Sequence, residues 1–454
     1  MENNIKSKRP FSWGIATSSY QIEGGHDLHG RGPSVWDVFS HSKGRVKNGD
    51  NGDIACDHYH LFPEDIKLMK DLGVDSYRFS ISWPRIFPVG TEDKINQPGM
   101  DFYDRLVDTL LESNITPFVT LNHWDIPQGL VDLGGWTNRD MVEQFIKYSH
   151  YLSRGLGDRV SNWITHNEPW CISFLGYVEG RKPPGLKGEW AKSLHTAHHL
   201  LLSHGKAVPE IKSNVKNAKV GITLNLNTAI PASDSEYDKK ECAFYDAQFN
   251  RLYLDPLYKK EYPELLFKRL LEKEAIDQSD LNFIKDGDLK AISTPTDFLG
   301  VNYYSRAVIR DESVDEALNE KHKVTMGPKT DFGWEVYPRG IYDLLKRLQD
   351  EYSVNEIMIT ENGCSYGDGP NENKKVNDVK RVEYHRSHIE QILIAVDEGI
   401  PCTGYFAWSL MDNFEWAEGY SQRFGLIWVD FDTLERIPKR AITGIKNFLN
   451  HKNE

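Results

Sequence analysis

The chain has 454 residues and a formal charge of −13, from 54 Lys and Arg against 67 Asp and Glu. That balance argues against nucleic acid or an anionic membrane as partner, since both need a basic face, and leaves a neutral ligand open. Aromatic residues at 12% allow a large core with rings left over for a cleft, and no apolar run approaches the roughly 18 residues that span a bilayer.

In chain order, Phe11 to Thr17 reads as a first short strand leading to Ser18-Ser19-Tyr20-Gln21, followed by a Gly-rich loop from Gly24 to Asp53. Phe62, Ile66, Met69 and Leu72 recur at helical spacing, with Pro63 suited to a first helical position and Gly73 to the stop. Val74 to Ser82 is the next strand and contains Arg78. A helix marked by Phe102, Leu106 and Leu110 precedes the strand Thr116 to Leu121, which runs into Asn122-His123-Trp124. A helix around Val142 to Leu152 leads to the strand Trp163 to Thr165 and then His166-Asn167-Glu168-Pro169. A long helix over Trp190 to Ile211 is followed by the strand Val220 to Leu224. Phe244 to Leu271 reads as mostly helical, and Phe298 to Val301 as a strand ending in Asn302-Tyr303-Tyr304. After a polar excursion from Arg306 to Phe332, a helix over Ile341 to Leu348 precedes the strand that begins at Ile357. A helix over Val379 to Val396, the strand Cys402 to Trp408 and a helix over Ala441 to Leu449 complete the chain.

Eight strands alternating with helical segments, without a linker, predict one α/β domain over residues 1–454, a single (β/α)8 TIM barrel with elaborated βα loops. The rival is a doubly wound open sheet. It would carry G-x-G-x-x-G after its first strand, which Gly24-Gly25 and Gly30-Arg31-Gly32 do not match. Five scattered cysteines, Cys56, Cys171, Cys242, Cys364 and Cys402, lack C-x-x-C spacing. They predict neither a disulfide framework nor a zinc site, and a reducing compartment. The polar start Met1 to Lys6 has no apolar h-region, which adds to a cytoplasmic expectation.

In a barrel of this kind the C-terminal rim is where sites form. Just beyond the strands stand Gln21, Arg78, His123-Trp124, Asn167-Glu168, Asn302, Tyr304, Glu361, Trp408 and Glu415-Trp416. Glu361 follows the apolar run Ile357 to Ile359 with only Thr360 between, and a charge at the end of a buried strand is costly unless paired or used. No phosphate loop, metal set or Ser nucleophile motif accompanies these residues, so no cofactor is expected. His195, His198, His199 and His204 lie at helical spacing but lack H-E-x-x-H and read as structural. Two carboxylates, neutral hydrogen-bonders and aromatic faces suit a sugar, and two carboxylates flanking one bond suit glycosidic cleavage.

Three motifs then carry a resemblance: Trp13 to Gly24 (WGIATSSYQIEG), Thr165-His166-Asn167-Glu168-Pro169 and Ile359-Thr360-Glu361-Asn362-Gly363, with Arg423 to Leu426 near the end. The chain resembles family-1 glycoside hydrolases, the β-glucosidases and their relatives, over nearly its whole length. The resemblance implies a retaining β-glucosidase in which Glu168 is the general acid/base and Glu361 the nucleophile. It implies that Gln21, His123, Trp124, Asn167, Asn302 and Glu415 hold sugar hydroxyls against Trp408 and Trp416. Arg78 and Tyr304 would stand beside Glu361, and Trp334 at the leaving-group site.

Physical chemistry asks the same of the pair. Arg78 should favour the ionised form of the nucleophile, and the second carboxylate should raise the acid's pKa. Retention needs the carboxyls about 5–5.5 Å apart, against about 6.5–9.5 Å for inversion. His166 departs from the apolar residue common there, which concerns the surroundings of Glu168. Two alternatives share the fold. A 6-phospho-β-glucosidase would carry Ser, Lys and Tyr where this chain has Glu415, Gln422 and Phe424, so a phosphate would meet a carboxylate and no lysine. A silent sugar-binding barrel would have lost one carboxylate, and both are present.

Overall fold

The computed structural model describes residues 11–312 and 324–441. Eight parallel strands, Ser12–Ala16, Ser76–Ser80, Thr116–Asn122, Asn162–Asn167, Lys219–Asn225, Phe298–Asn302, Ile357–Asn362 and Cys402–Trp408, close into a barrel. Each pairs with its neighbour in the chain, and the first closes on the eighth with Ser12 opposite Gly404 and Ala16 opposite Trp408. These are the strands the sequence predicts, with ends moved by one or two residues.

Helices cover the outside, so most strand residues are buried on both faces and the strands read as apolar runs rather than alternating ones. Inside, Phe118, Ile164, Phe298, Met358 and Phe406 form a packed plug that continues into Trp408 and Phe424 at the rim. Gly14 makes that plug possible, because a Cβ there would stand 2.3 Å from the Phe406 ring.

Several local expectations change. The helix predicted to start at Pro63 runs over His58–Leu72 with Pro63 inside it, exposed. Asp57 turns into the left-handed region, His58 bonds Asp65, and burial of Tyr59 and Phe62 outweighs the one hydrogen bond proline cannot make. Gly73 does stop this helix at φ 82°. The Gly-rich loop contains a helix, Val35–His41, whose start is fixed by reciprocal bonds between Ser34 and Asp37. That Ser-x-x-Asp signal is a capping box and was legible. Phe244 to Leu271 is interrupted: a wide turn at Ala247–Arg251, an end at Tyr258, and a restart at Glu264 after Pro263. The excursion from Arg306 contains a short strand, Ala307–Ile309, paired in parallel with Ala229–Pro231. Residues 313–323 of the charged stretch Asp311 to Lys323, and the closing helix from 442 onward, lie outside the described residues.

At the C-terminal rim of the barrel two strands, the fourth and the seventh, carry an extra residue against their neighbours. Along the sixth strand, Val301 faces Ile359 but Asn302 faces Glu361, so the seventh strand carries one extra residue just before its carboxylate. The fourth strand does the same against the fifth, where Ile164 faces Gly221 but Asn167 faces Thr223. Such bulges re-aim side chains at a barrel rim.

Candidate active site

Above the plug lies a cavity of about 440 Å³, and Glu168 and Glu361 both line it. They come from the ends of the fourth and seventh strands, the two that carry the extra residue. Glu361 is 3% exposed and is held from two sides: Arg78 Nη1 donates to Oε1 at 2.7 Å and the Tyr304 hydroxyl to Oε2 at 2.7 Å. Arg78 is itself fixed by donation to Thr120 Oγ1, the Thr360 carbonyl and Asn167 Oδ1. It therefore bridges four strands and presents one edge of its guanidinium to Glu361.

Glu168 adopts a left-handed backbone, φ 49° and ψ 69°, immediately before the helix Pro169–Phe174. Trp124 (φ 77°) and Trp416 (φ 50°) share this conformation, which non-glycine residues adopt at a cost and which concentrates at functional sites. Asn302 Nδ2 donates to Glu168 Oε1 at 2.6 Å and the Cys171 thiol to Oε2 at 2.9 Å. Thr360 Oγ1 in turn donates to Asn302 Oδ1 at 2.8 Å, linking the two carboxylate strands.

Burial is the largest influence on the charges. It pushes the Glu361 carboxyl up to about 7, with Arg78 opposing and Glu168 adding to the rise. Arg78 therefore favours the ionised form, as expected, while desolvation works against it. Glu415 is pushed up to about 8 by burial, opposed chiefly by Lys182. Burial also raises Tyr304 well above the phenol range, so it remains a donor to Glu361, and depresses His123, which stays neutral.

Ten predicted residues line the cavity: His123, Trp124, Glu168, Asn302, Tyr304, Trp334, Glu361, Trp408, Glu415 and Trp416. One wall is His123, Trp124 and Trp416, with the two tryptophan rings 4.5 Å apart. The other packs Tyr304, Phe332, Trp334 and Phe424 together. Gln21, Arg78 and Asn167 are buried one layer behind. Gln21 Nε2 donates to Asn413, the Phe414 carbonyl and, at 3.4 Å, Glu415 Oε2. Asn167 Nδ2 meets His123 Nε2 at 3.1 Å. Gln422 accepts from Ser365 at 2.7 Å, and Phe424 is 2% exposed.

His166 faces away from the cavity, stacked on Phe145 at 4.3 Å and bonded to Ser203, so this departure leaves the Glu168 carboxylate untouched. The four helical histidines bond Asp280, Asp288 with Tyr262, Trp136 and Thr165 respectively.

Sequence reasoning missed Cys171 and Lys182. Cys171, three residues after Glu168 at a helix start, was legible in principle. Lys182 was not, for it sits on an irregular segment. Its Nζ lies 3.2 Å from the centre of the Trp124 ring and 5.5 Å from that of Trp416. The expectation that no lysine enters the surroundings of Glu415 is corrected accordingly.

The sequence matches glycosyl hydrolase family 1 over residues 4–454. It is 47% identical over 431 residues to a 1,4-beta-D-glucan glucohydrolase of Thermotoga neapolitana, covering 94% of this chain and 95% of that one. It is 47% identical over 436 residues to beta-glucosidase A of Acetivibrio thermocellus, covering 96% of each. The structure of the beta-glucosidase from Thermotoga maritima in complex with glucoimidazole superposes with a TM-score of 0.90 at 44% identity, over 98% of this chain and 100% of that one. Barrel, paired carboxylates and a match running nearly end to end agree: the chain belongs to glycosyl hydrolase family 1.

Proposed function

We propose that the chain is a retaining β-glucosidase, one catalytic unit over residues 1–454, that releases terminal β-D-glucosyl residues by double displacement. The observation that carries it is the pair Glu168 and Glu361 in one cavity, with Arg78 and Tyr304 both donating to Glu361. Those two donors favour the negative charge on Glu361 whenever the pair shares one proton. Glu361 then attacks the anomeric carbon while Glu168 passes its proton to the glycosidic oxygen; the C1–O bond to the leaving group breaks as the ester bond to Glu361 forms. Once esterified, Glu361 is neutral, and Glu168 takes a proton from the water that attacks C1 and regenerates the carboxylate. His123, Asn302 and Glu415 offer the sugar hydroxyls their hydrogen-bond partners, and Trp408 and Trp416 a face for its C–H groups.

The named relatives are a glucan glucohydrolase and beta-glucosidases, one of them recorded with glucoimidazole, which supports a glucoside as substrate. Glu415 in the cavity wall and Gln422 committed to Ser365 support an unphosphorylated one. Five unpaired cysteines support the cytoplasm as compartment.

The test is kcat/KM on the nitrophenyl β-glucoside, β-galactoside and 6-phospho-β-glucoside and on cellobiose, without added metal, with the anomer of the first product followed by NMR. The β-anomer and a clear preference for the neutral glucoside are expected. An α-anomer as first product would reject retention, and preference for the phosphorylated substrate would reject the substrate class.

A further inference from the structure

Lys182 is a cation for which the double displacement has no use. It lines the cavity together with Glu168 and Glu415 and rests on the face of Trp124. No described residue accepts a hydrogen bond from its Nζ or lies within 4.0 Å as an ion-pair partner, so the ring engages one side of the ammonium and the N–H donors that point away from it are left without an acceptor among the described residues. A half-buried ammonium in that condition is an incomplete interaction, and burial does lower its pKa. The preceding Arg181 lines the same cavity with its nearest carboxylate, Glu179, at 3.8 Å, too long for a hydrogen bond. Arg306, by contrast, is neutralised by two bonds to Glu335.

The acids facing Lys182 do not cancel it once substrate is bound. Glu168 must carry a proton to act as the acid, and Glu415 would be engaged by sugar hydroxyls. Glu179 and Glu418, which also line the cavity, oppose any anion, but Glu179 already faces Arg181.

Resting on the glycosidase reading, we propose that Lys182 gives this cavity an anion-accepting subsite beside Glu168, so that β-glucosides bearing a carboxylate on the aglycone are preferred to their neutral esters. A charge-assisted bond from a partly desolvated ammonium corresponds to a preference of about tenfold.

The probe is a pair of substrates, 4-(carboxymethyl)phenyl β-glucoside and its methyl ester, in which a methylene insulates the phenol so that both leave equally well. The ratio of their kcat/KM values is measured in the wild type, Lys182→Gln and Lys182→Arg, with circular dichroism as the check on folding. The ratio should favour the acid by about tenfold in the wild type, fall to one or below in Lys182→Gln, and survive in Lys182→Arg. It should also shrink as salt is raised, a reading that needs no variant. A wild-type ratio at or below one, or a ratio unchanged in Lys182→Gln, overturns the proposal. Failure to hydrolyse either compound would instead reject the glycosidase reading beneath it.

Discussion

At the residue scale, the two carboxylates have distinguishable partners and so distinguishable failures. Glu361→Ala removes the group held by Arg78 and Tyr304 and should abolish hydrolysis while circular dichroism is unchanged. Azide should then restore reaction on an activated β-glucoside with the α-glycosyl azide as product; a β-configured azide would reject Glu361 as nucleophile. Glu168→Ala should slow poor leaving groups by orders of magnitude and activated aryl groups far less, because only the former need a proton to depart. An equal loss for both classes would remove the acid from Glu168. Glu415 offers a test on stability. Its carboxyl titrates at about 8 when buried, against 4.5 unperturbed, so its contribution is fully present below pH 4.5 and is lost as pH rises to about 8. Glu415→Gln removes that loss and should raise the Tm relative to wild type by a few degrees at pH 9, with a smaller or no gain at pH 4.5, at the expense of activity. A gain that is the same at both pH values would show that burial of charge is not the cause.

At the scale of elements, the informative feature is how closely the layers approach. The helix Trp190–Asn214 crosses the helix Asp288–Ile292 at Gly205, where a Cβ would stand 2.0 Å from the Ala291 carbonyl oxygen. Replacing glycine by alanine inside a helix ordinarily stabilises by about 1 kcal/mol. Here the sign should reverse, because the two helices must separate, and Gly205→Ala should cost about 1–3 kcal/mol by urea denaturation. Unchanged or increased stability would mean that the crossing is more compliant than its spacing implies. The bulges of the fourth and seventh strands belong to this scale too. Thr360 lies between Ile359, opposite Val301, and Glu361, opposite Asn302, and its hydroxyl donates to Asn302 on the sixth strand. A regular ladder would send alternate residues to opposite faces, and the extra residue is what re-aims the carboxylate.

For the whole molecule, burial sets the titration of the fold. His204 and His385 are depressed to about 3 and His388 to about 4, chiefly by desolvation, and none has a carboxylate hydrogen-bond partner among the described residues. Below 6.5 the unfolded chain takes up protons that the native histidines refuse, so each subtracts stability as pH falls, about 1 kcal/mol between pH 7 and 5.5. Glu361 and Glu415 act in the opposite sense over that range, so the readout is a difference between proteins. His204→Asn should show a shift in urea stability between pH 7 and 5.5 that is about 1 kcal/mol more favourable than in wild type. Identical pH dependence in the two proteins would place the His204 pKa near its ordinary value.

The sequence by itself determined the strand order, the barrel and most of the cavity wall. Apolar runs that end in His123-Trp124, Asn167-Glu168, Asn302 and Glu361 can only be strands buried on both faces with polar groups at one rim. It could not determine what depends on pairing between distant segments. The start of the His58–Leu72 helix was settled by Asp65 and by aromatic burial, against the local preference of Pro63. The desolvation that opposes Arg78 at Glu361 is a property of everything packed around that carboxyl, which the order of residues does not record. Lys182 entered the cavity because an irregular segment laid it across Trp124, fifty-eight positions earlier in the chain, and no periodicity records a contact of that kind. Local chemistry is written in the order of residues, whereas proximity, burial and register are decided only when the barrel closes.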